Sequence, residues 1–287
     1  MPRLLLLVLV LAAFVRLGAA TGPAAAQIKL TSGVTLNYAV QGPADGEPIV
    51  LLHGIGDSWR SFELLLPRIP DRYRVYALSL RGHGWSDAPA SGYALADFAS
   101  DVTAFLNQMN LRRVTLVGHS LGSLVAQAVA VEDSSRLARL VLMGSGPGGL
   151  VSPDIRAEAQ AMFRAIRAPI DKGFARDFQM SVVHAPVPAA FMDTMYEQII
   201  LSAPQMWPEA ADGLHSPATG EAIKRIKVPA LLIWGDKDAF FVRADQDALL
   251  ARIPNSRLVV FPDVGHVAHW EDPERVAKEI VAFISPN

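Results

Sequence analysis

Apolar residues in this chain gather in short, nearly unbroken runs separated by longer stretches with helical spacing. The runs include Pro48-Ile49-Val50-Leu51-Leu52, Val75 to Leu80, Arg113-Val114-Thr115-Leu116-Val117, Leu140-Val141-Leu142-Met143, Leu231-Leu232-Ile233-Trp234 and Arg257-Leu258-Val259-Val260. Runs of this length with few polar alternates predict strands buried on both faces, as in a parallel sheet. Between them, Phe98, Val102, Phe105 and Leu106 recur on one helical face within residues 94–109. Phe62, Leu65, Leu66 and Ile69 do the same within residues 59–69. Further helices are predicted over 123–131 and 243–253, and a last one starts at Asp272 as N-cap with Pro273 in the first turn. Ahead of these, Ile28-Lys29-Leu30 and Val34 to Val40 flank Thr31-Ser32-Gly33, which predicts an opening hairpin. Strands alternating with helices imply right-handed crossovers and an α/β fold on a mostly parallel sheet of about eight strands.

The alternation stops near Gly144 and resumes at Val228. The intervening residues 147–227 have a helical pattern interrupted by Pro153, Pro169, Pro186, Pro188, Pro204, Pro208 and Pro217. A stretch this long is not a loop of a compact domain. It therefore predicts a helical insertion between the sixth and seventh strands, with residues 27–146 and 228–287 forming the core. The first 26 residues have a different pattern: basic Pro2-Arg3, apolar Leu4 to Val15, then small Ala24-Ala25-Ala26 before Gln27. That is the layout of a signal peptide cleaved after Ala26, and Arg16 ends the apolar stretch too early for a comfortable bilayer span. Export to the periplasm or outside the cell is the expectation, with an uncleaved N-terminal anchor as the alternative. The chain has no cysteine, so neither disulfides nor a lipidated cysteine enters the picture.

A formal net charge of -2 leaves no basic footprint for nucleic acid. No zinc-ligand spacing and no dinucleotide-binding glycine fingerprint is present, so neither a metal nor a cofactor is expected, and the partner is expected to be a small molecule. The chemistry concentrates in Gly118-His119-Ser120-Leu121-Gly122, at the junction of a predicted strand and a predicted helix. A serine on such a sharp turn is forced into strained backbone geometry that exposes its hydroxyl, and the flanking glycines leave room for the neighbouring strand and helix. A serine hydroxyl needs an adjacent base to act as a nucleophile. His266, directly after Gly265, and His269 are the candidates. Asp238 and Asp236, both just past the apolar run ending at Trp234, are the candidate acids. His53-Gly54-Ile55-Gly56 follows the Leu51-Leu52 run and offers a turn for an oxyanion hole. All of these segments lie at the C-terminal ends of predicted strands, where parallel sheets place their ligand crevice.

With these residues in this order, the chain from about Ile28 onward resembles the α/β-hydrolase superfamily, whose order is Ser, then Asp or Glu, then His. The resemblance implies Ser120 as nucleophile, His266 rather than His269 as base, and Asp238 rather than Asp236 as its orienting acid. It also implies the backbone N–H groups of Ile55 and Leu121 as the oxyanion hole, and a cap formed by the inserted helices. Trp59 and His119 are candidate pocket residues, and apolar cap residues such as Phe163 and Phe178 are expected in part to face the crevice. The segment Arg81-Gly82-His83-Gly84 also resembles a superfamily loop, with Ser79 where relatives usually carry Asp, and reads as scaffold. Serine at position 120 argues against the haloalkane-dehalogenase and epoxide-hydrolase branches, which need aspartate there. The implied activity is hydrolysis of a small to medium apolar ester or lactone. A C–C hydrolase or a cofactor-free haloperoxidase would use the same triad. A non-catalytic binding protein on this fold would be expected to carry a broken triad, which the sequence does not show.

Overall fold

The computed structural model describes residues 22–213 and 215–285. Eight strands form one sheet: β1 (Ala24–Lys29), β2 (Thr35–Gln41), β3 (Glu47–Leu52), β4 (Tyr73–Leu78), β5 (Val114–His119), β6 (Leu137–Met143), β7 (Ala230–Gly235) and β8 (Ser256–Phe261). Their order across the sheet is β1-β2-β4-β3-β5-β6-β7-β8. β1 and β2 pair antiparallel, as does β2 with β4, and every other pairing is parallel.

The unbroken apolar runs follow from burial on both faces. Val50 and Leu52 of β3 join one hydrophobic core, with Leu116, Leu140, Leu142 and Leu232. Ile49 and Leu51 point the other way into a second, with Val117, Val141, Met143, Leu231 and Ile233. Strand side chains alternate between faces, so a strand with helices on both sides must be apolar at every position. Helix α1 (Leu95–Gln108) buries Phe98, Val102, Phe105 and Leu106, and α2 (Leu121–Glu132) starts directly after Ser120. Five helices lie between β6 and β7: α3 (Pro153–Ala165), α4 (Lys172–Ser181), α5 (Ala189–Leu201), α6 (Met206–Gly213) and α7 (Pro217–Ala222). The chain then returns to the sheet and adds α8 (Arg243–Arg252), the short α9 (Ala268–Glu271) and α10 (Pro273–Ile284). The Asp272 carboxylate caps α10 by accepting the Arg275 N–H at 3.1 Å. Among the described residues, no helix is long and apolar enough to cross a membrane.

Two expectations change. Residues 59–69 are not one helix but two 3-10 turns, Trp59–Phe62 and Leu66–Arg68. The apolar spacing still buries Phe62, Leu65, Leu66 and Ile69, but Pro67 cannot supply a helical N–H and the segment breaks around it. The second concerns the boundary at residue 26. Residues 1–21 lie outside the described part, but Ala24, Ala25 and Ala26 belong to β1 and pair with Val40, Ala39 and Tyr38. A cut after Ala26 would therefore divide a strand, and the folded core begins at Ala24.

The Arg81 segment is tied into the core by its side chains. Arg81 Nε and Nη2 each donate to the Asp101 carboxylate of α1 at 2.6 Å, and Nη1 donates to the Gly92 carbonyl at 2.8 Å. Both partners are buried. Replacing Asp101 by alanine leaves the guanidinium buried without its counter-charge, and a loss of about 3–5 kcal/mol in unfolding free energy is expected. Urea denaturation of Asp101→Ala against the wild type measures it; a loss under about 1 kcal/mol, the scale of an exposed pair, would show that the pair is not a structural tie.

Candidate active site

Ser120 sits between the end of β5 and the start of α2 with φ 50° and ψ -120°. A non-glycine residue rarely adopts such a conformation, and holding it there costs about 1–3 kcal/mol. The flanking glycines show why the turn is possible. A Cβ on Gly118 would stand 2.2 Å from the Gly122 carbonyl oxygen, and one on Gly122 would stand 2.3 Å from the Leu52 carbonyl oxygen. No side chain fits at either place. The turn is fastened on both sides, with the Ser120 N–H donating to the Met143 carbonyl at 3.0 Å and the Gly122 N–H to the His53 carbonyl at 3.0 Å.

His266 lies in the loop after β8 and lines the same cavity as Ser120. Its Nδ1 is 2.9 Å from Asp238 Oδ2. The other Asp238 oxygen accepts the N–H groups of Phe240 at 2.8 Å and Phe241 at 3.1 Å. A carboxylate held by three donors has little freedom to turn. It also fixes the imidazole proton on Nδ1, which leaves Nε2 as the unprotonated nitrogen. The rings of Phe240 and Phe241 flank the imidazole at 5.1 and 5.7 Å between centroids. Gly144 is required on the remaining side, because a Cβ there would meet the His266 ring at 2.8 Å.

The two rival residues have other work. His269 Nε2 is 3.1 Å from Ser61 Oγ, and burial lowers this ring to about 3, so it stays neutral. Asp236 accepts the Asp263 N–H at 2.7 Å and pairs with Lys237 at 3.3 Å. It shapes the turn in which Asp263 takes φ 56°, ahead of His266.

Ile55 and Leu121 both line the cavity beside Ser120. Leu121 is the first residue of α2, so its N–H has no partner within the helix. Ile55 occupies the second position of a turn closed by the Asp57 N–H donating to the Gly54 carbonyl at 3.3 Å, with Gly56 at φ 80°. A second position in such a turn likewise keeps its N–H free of the turn's own bond. His53 braces this turn: the Leu80 N–H donates to its Nε2 at 2.9 Å, so the ring proton is on Nδ1 and goes to the Gly54 carbonyl at 2.6 Å. Burial first, and His83 second, lower His53 far below the ordinary histidine value, which keeps it a neutral strut. The indole of Trp207, at the start of α6, closes over Gly56, where a Cβ would meet it at 2.8 Å.

Of the two candidate pocket residues, His119 lines the cavity and its Nε2 hydrogen goes to the His266 carbonyl at 3.1 Å. Trp59 does not line it: the 3-10 turn it opens sends Phe62 into the core and leaves Trp59 half-buried, with the Arg60 guanidinium 5.8 Å from its ring. The cavity is mostly apolar. The insertion supplies Phe163, Phe178, Gln179 and Val182 to its wall; Met180 instead faces solvent.

One wall residue was not singled out by the sequence reading. Asp57, three residues past Gly54, is buried in the cavity wall, and its carboxyl accepts from the Gln179 amide at 2.9 Å and the Ser61 hydroxyl at 3.2 Å. Burial pushes it up to about 7, against the two hydrogen bonds and the nearby His266. An acidic side chain directly after the predicted oxyanion turn was the available signal. Between the ordinary value of 3.8 and about 7, the folded chain holds a proton that the unfolded chain has lost. The stability contributed by Asp57 is thus complete below the unfolded value and is lost as pH rises through about 7. Urea midpoints at mildly acidic and mildly alkaline pH should fall more for the wild type than for Asp57→Asn as pH rises; parallel losses in the two proteins would contradict the assignment.

A family model for the alpha/beta hydrolase fold matches residues 47–273. A 2-(acetamidomethylene)succinate hydrolase of Mesorhizobium japonicum is 26% identical, over 88% of this chain and 92% of its own. Among solved structures, an esterase from Exiguobacterium antarcticum superposes with a TM-score of 0.82 at 24% identity, covering 90% of this chain and 98% of its own. A bromoperoxidase from Bacillus anthracis superposes with a TM-score of 0.82 at 22% identity, over 91% of this chain and 99% of its own. At these identities the structures establish the likeness of fold, while their activities differ from one another.

Proposed function

Because the chain belongs to the alpha/beta hydrolase fold family, we propose that it is a serine hydrolase cleaving a small carboxylic ester or lactone through an acyl-enzyme on Ser120. The observation that carries this reading is a left-handed Ser120 on the same cavity as a histidine whose Nδ1 is bonded to Asp238. In this reading His266 Nε2 takes the hydroxyl proton as Ser120 Oγ attacks the carbonyl carbon. The N–H groups of Ile55 and Leu121 receive the negative oxygen of the tetrahedral intermediate, each such donor being worth on the order of 3 kcal/mol. Collapse of the intermediate breaks the bond to the alcohol, which leaves with the proton from His266. Water, deprotonated in turn by His266, then attacks the acyl carbon, releases the acid and restores the Ser120 hydroxyl. Asp238 holds the tautomer and offsets the imidazolium charge in both halves.

The cavity wall is mostly apolar, with Leu124, Leu150, Phe163 and Val182 among its members, which suits an apolar acyl group. Hydrolysis of short and medium p-nitrophenyl esters is expected, and the chain-length profile measures the pocket. Ser120→Ala should lose at least about 10³-fold in kcat, and Asp238→Asn about 10²–10⁴-fold. Activity surviving in a folded Ser120→Ala protein would overturn the reading. A product formed by carbon–carbon scission would move it to the C–C hydrolase alternative.

We further propose that the leading segment directs export. Mass spectrometry of the mature protein from the exporting cell should then find an N terminus at or before Ala24, which keeps β1 whole. A mature chain beginning at Gln27, or one retaining Met1, would contradict this.

A further inference from the structure

Besides His119, whose Nε2 is bonded to the His266 carbonyl, the cavity wall contains two polar side chains that the proposed reaction does not use, Asp57 and Gln179. They come from different parts of the chain, the loop after the oxyanion turn and helix α4 of the insertion. Gln179 Nε2 donates to Asp57 Oδ1 at 2.9 Å and also reaches the Met195 carbonyl at 3.4 Å. Ser61 Oγ donates to Asp57 Oδ2 at 3.2 Å. Trp270 Nε1 donates to Ser61 Oγ at 3.0 Å, and with the His269 proton on Nε2, 3.1 Å from the same oxygen, the Ser61 hydrogen points at Asp57. The carboxyl is thus gripped from both sides while buried, and each of its oxygens has received one donor.

A carboxylate oxygen can accept more than one hydrogen bond, so capacity remains on the cavity side. Apart from Ser120, His119 and His266, the other side chains of that wall are apolar, with Phe163, Phe178, Val182 and Trp270 among them. A purely hydrocarbon substrate would therefore cover the carboxyl without replacing the water it loses, which costs free energy. A substrate with a hydrogen to donate would complete the set of partners.

We propose that Asp57, held by Gln179 and Ser61, is a specificity-determining acceptor for a hydroxyl or amine hydrogen on a small ester or lactone substrate. The proposal rests on the serine-hydrolase reading above. It narrows the substrate class from small apolar esters to small esters bearing one donor group. The raised position of Asp57, about 7, is that of a buried carboxyl still short of donors. A site built around a hydrogen bond of this kind rejects analogues that lack the donor.

The test uses matched esters that differ by one hydroxyl, placed on the acyl chain in one pair and on the alcohol in the other. Ethyl β-hydroxybutyrate is compared with ethyl butyrate, and hydroxyethyl acetate with propyl acetate. Each pair is measured at mildly alkaline pH in the wild type, Asp57→Leu and Asp57→Asn, with circular dichroism reporting folding. In at least one pair the wild type should prefer the hydroxylated ester by about 10- to 100-fold in kcat/KM, the range of a hydrogen bond to a charged group. That preference should vanish or reverse in Asp57→Leu. Asp57→Asn, which keeps the shape and an acceptor oxygen, should show a reduced preference and decides the matter if the leucine variant does not fold. Equal preference in the wild type and in a folded variant, for both pairs, overturns the proposal. A wild type that hydrolyses no p-nitrophenyl ester overturns the serine-hydrolase reading instead, and that result is distinct from an unchanged ratio.

Discussion

The site depends on the absence of two side chains. Gly118 and Gly122 let the end of β5, the start of α2 and the Leu52–His53 backbone approach within distances that no Cβ permits. That contact holds Ser120 at φ 50°, a strained conformation that persists only because the strand, the helix and the neighbouring turn are each fixed independently. The same close approach brings the His53-Gly54-Ile55 turn against Ser120, since the Gly122 N–H is bonded to the His53 carbonyl. Ser120 and the turn proposed as its oxyanion hole are thereby positioned by one packing event. The cost in local strain is offset by the cores on both faces of the sheet.

A second fastening joins the inserted helices to the His266 loop. The His266 N–H donates to the Val182 carbonyl at 3.1 Å. The Glu271 carboxylate accepts from the backbone of His184, Ala185 and Gly265. The insertion and the histidine loop therefore share hydrogen bonds, so displacement of one must disturb the other. Buried histidines around the site, His53, His119 and His269, are all lowered from the ordinary value, chiefly by burial. They act as neutral packing and bracing groups, which leaves His266 as the ring with a carboxylate partner.

Much of this was legible because local sequence and global fold agree. The sheet could be read from β3, β5, β6 and β7, whose residues are apolar at successive positions and reach both cores. The strand-to-helix turn at Ser120 was legible because a Gly-x-Ser-x-Gly string between a strand and a helix has a steric meaning as well as a pattern. The break in residues 59–69 was less visible, because apolar spacing records which side chains are buried but not whether Pro67 allows a continuous helix. The small residues Ala24–Ala26 suit a cleavage site and an edge strand equally well, so their pairing in β1 could not be read from the sequence. Asp57 was missed for a different reason: its environment comes from Gln179, 122 positions away, and no local pattern encodes a contact between the core and the insertion.

The proposed chemistry requires Ser120 to be an activated nucleophile. A fluorophosphonate forms a stable bond only with a serine that has a working base and oxyanion hole, so peptide mapping after treatment tests the whole arrangement at once. The account predicts one label per chain, on the peptide carrying Ser120, and none in His266→Ala. A folded protein that stays unlabelled, or one labelled at another residue, would contradict it.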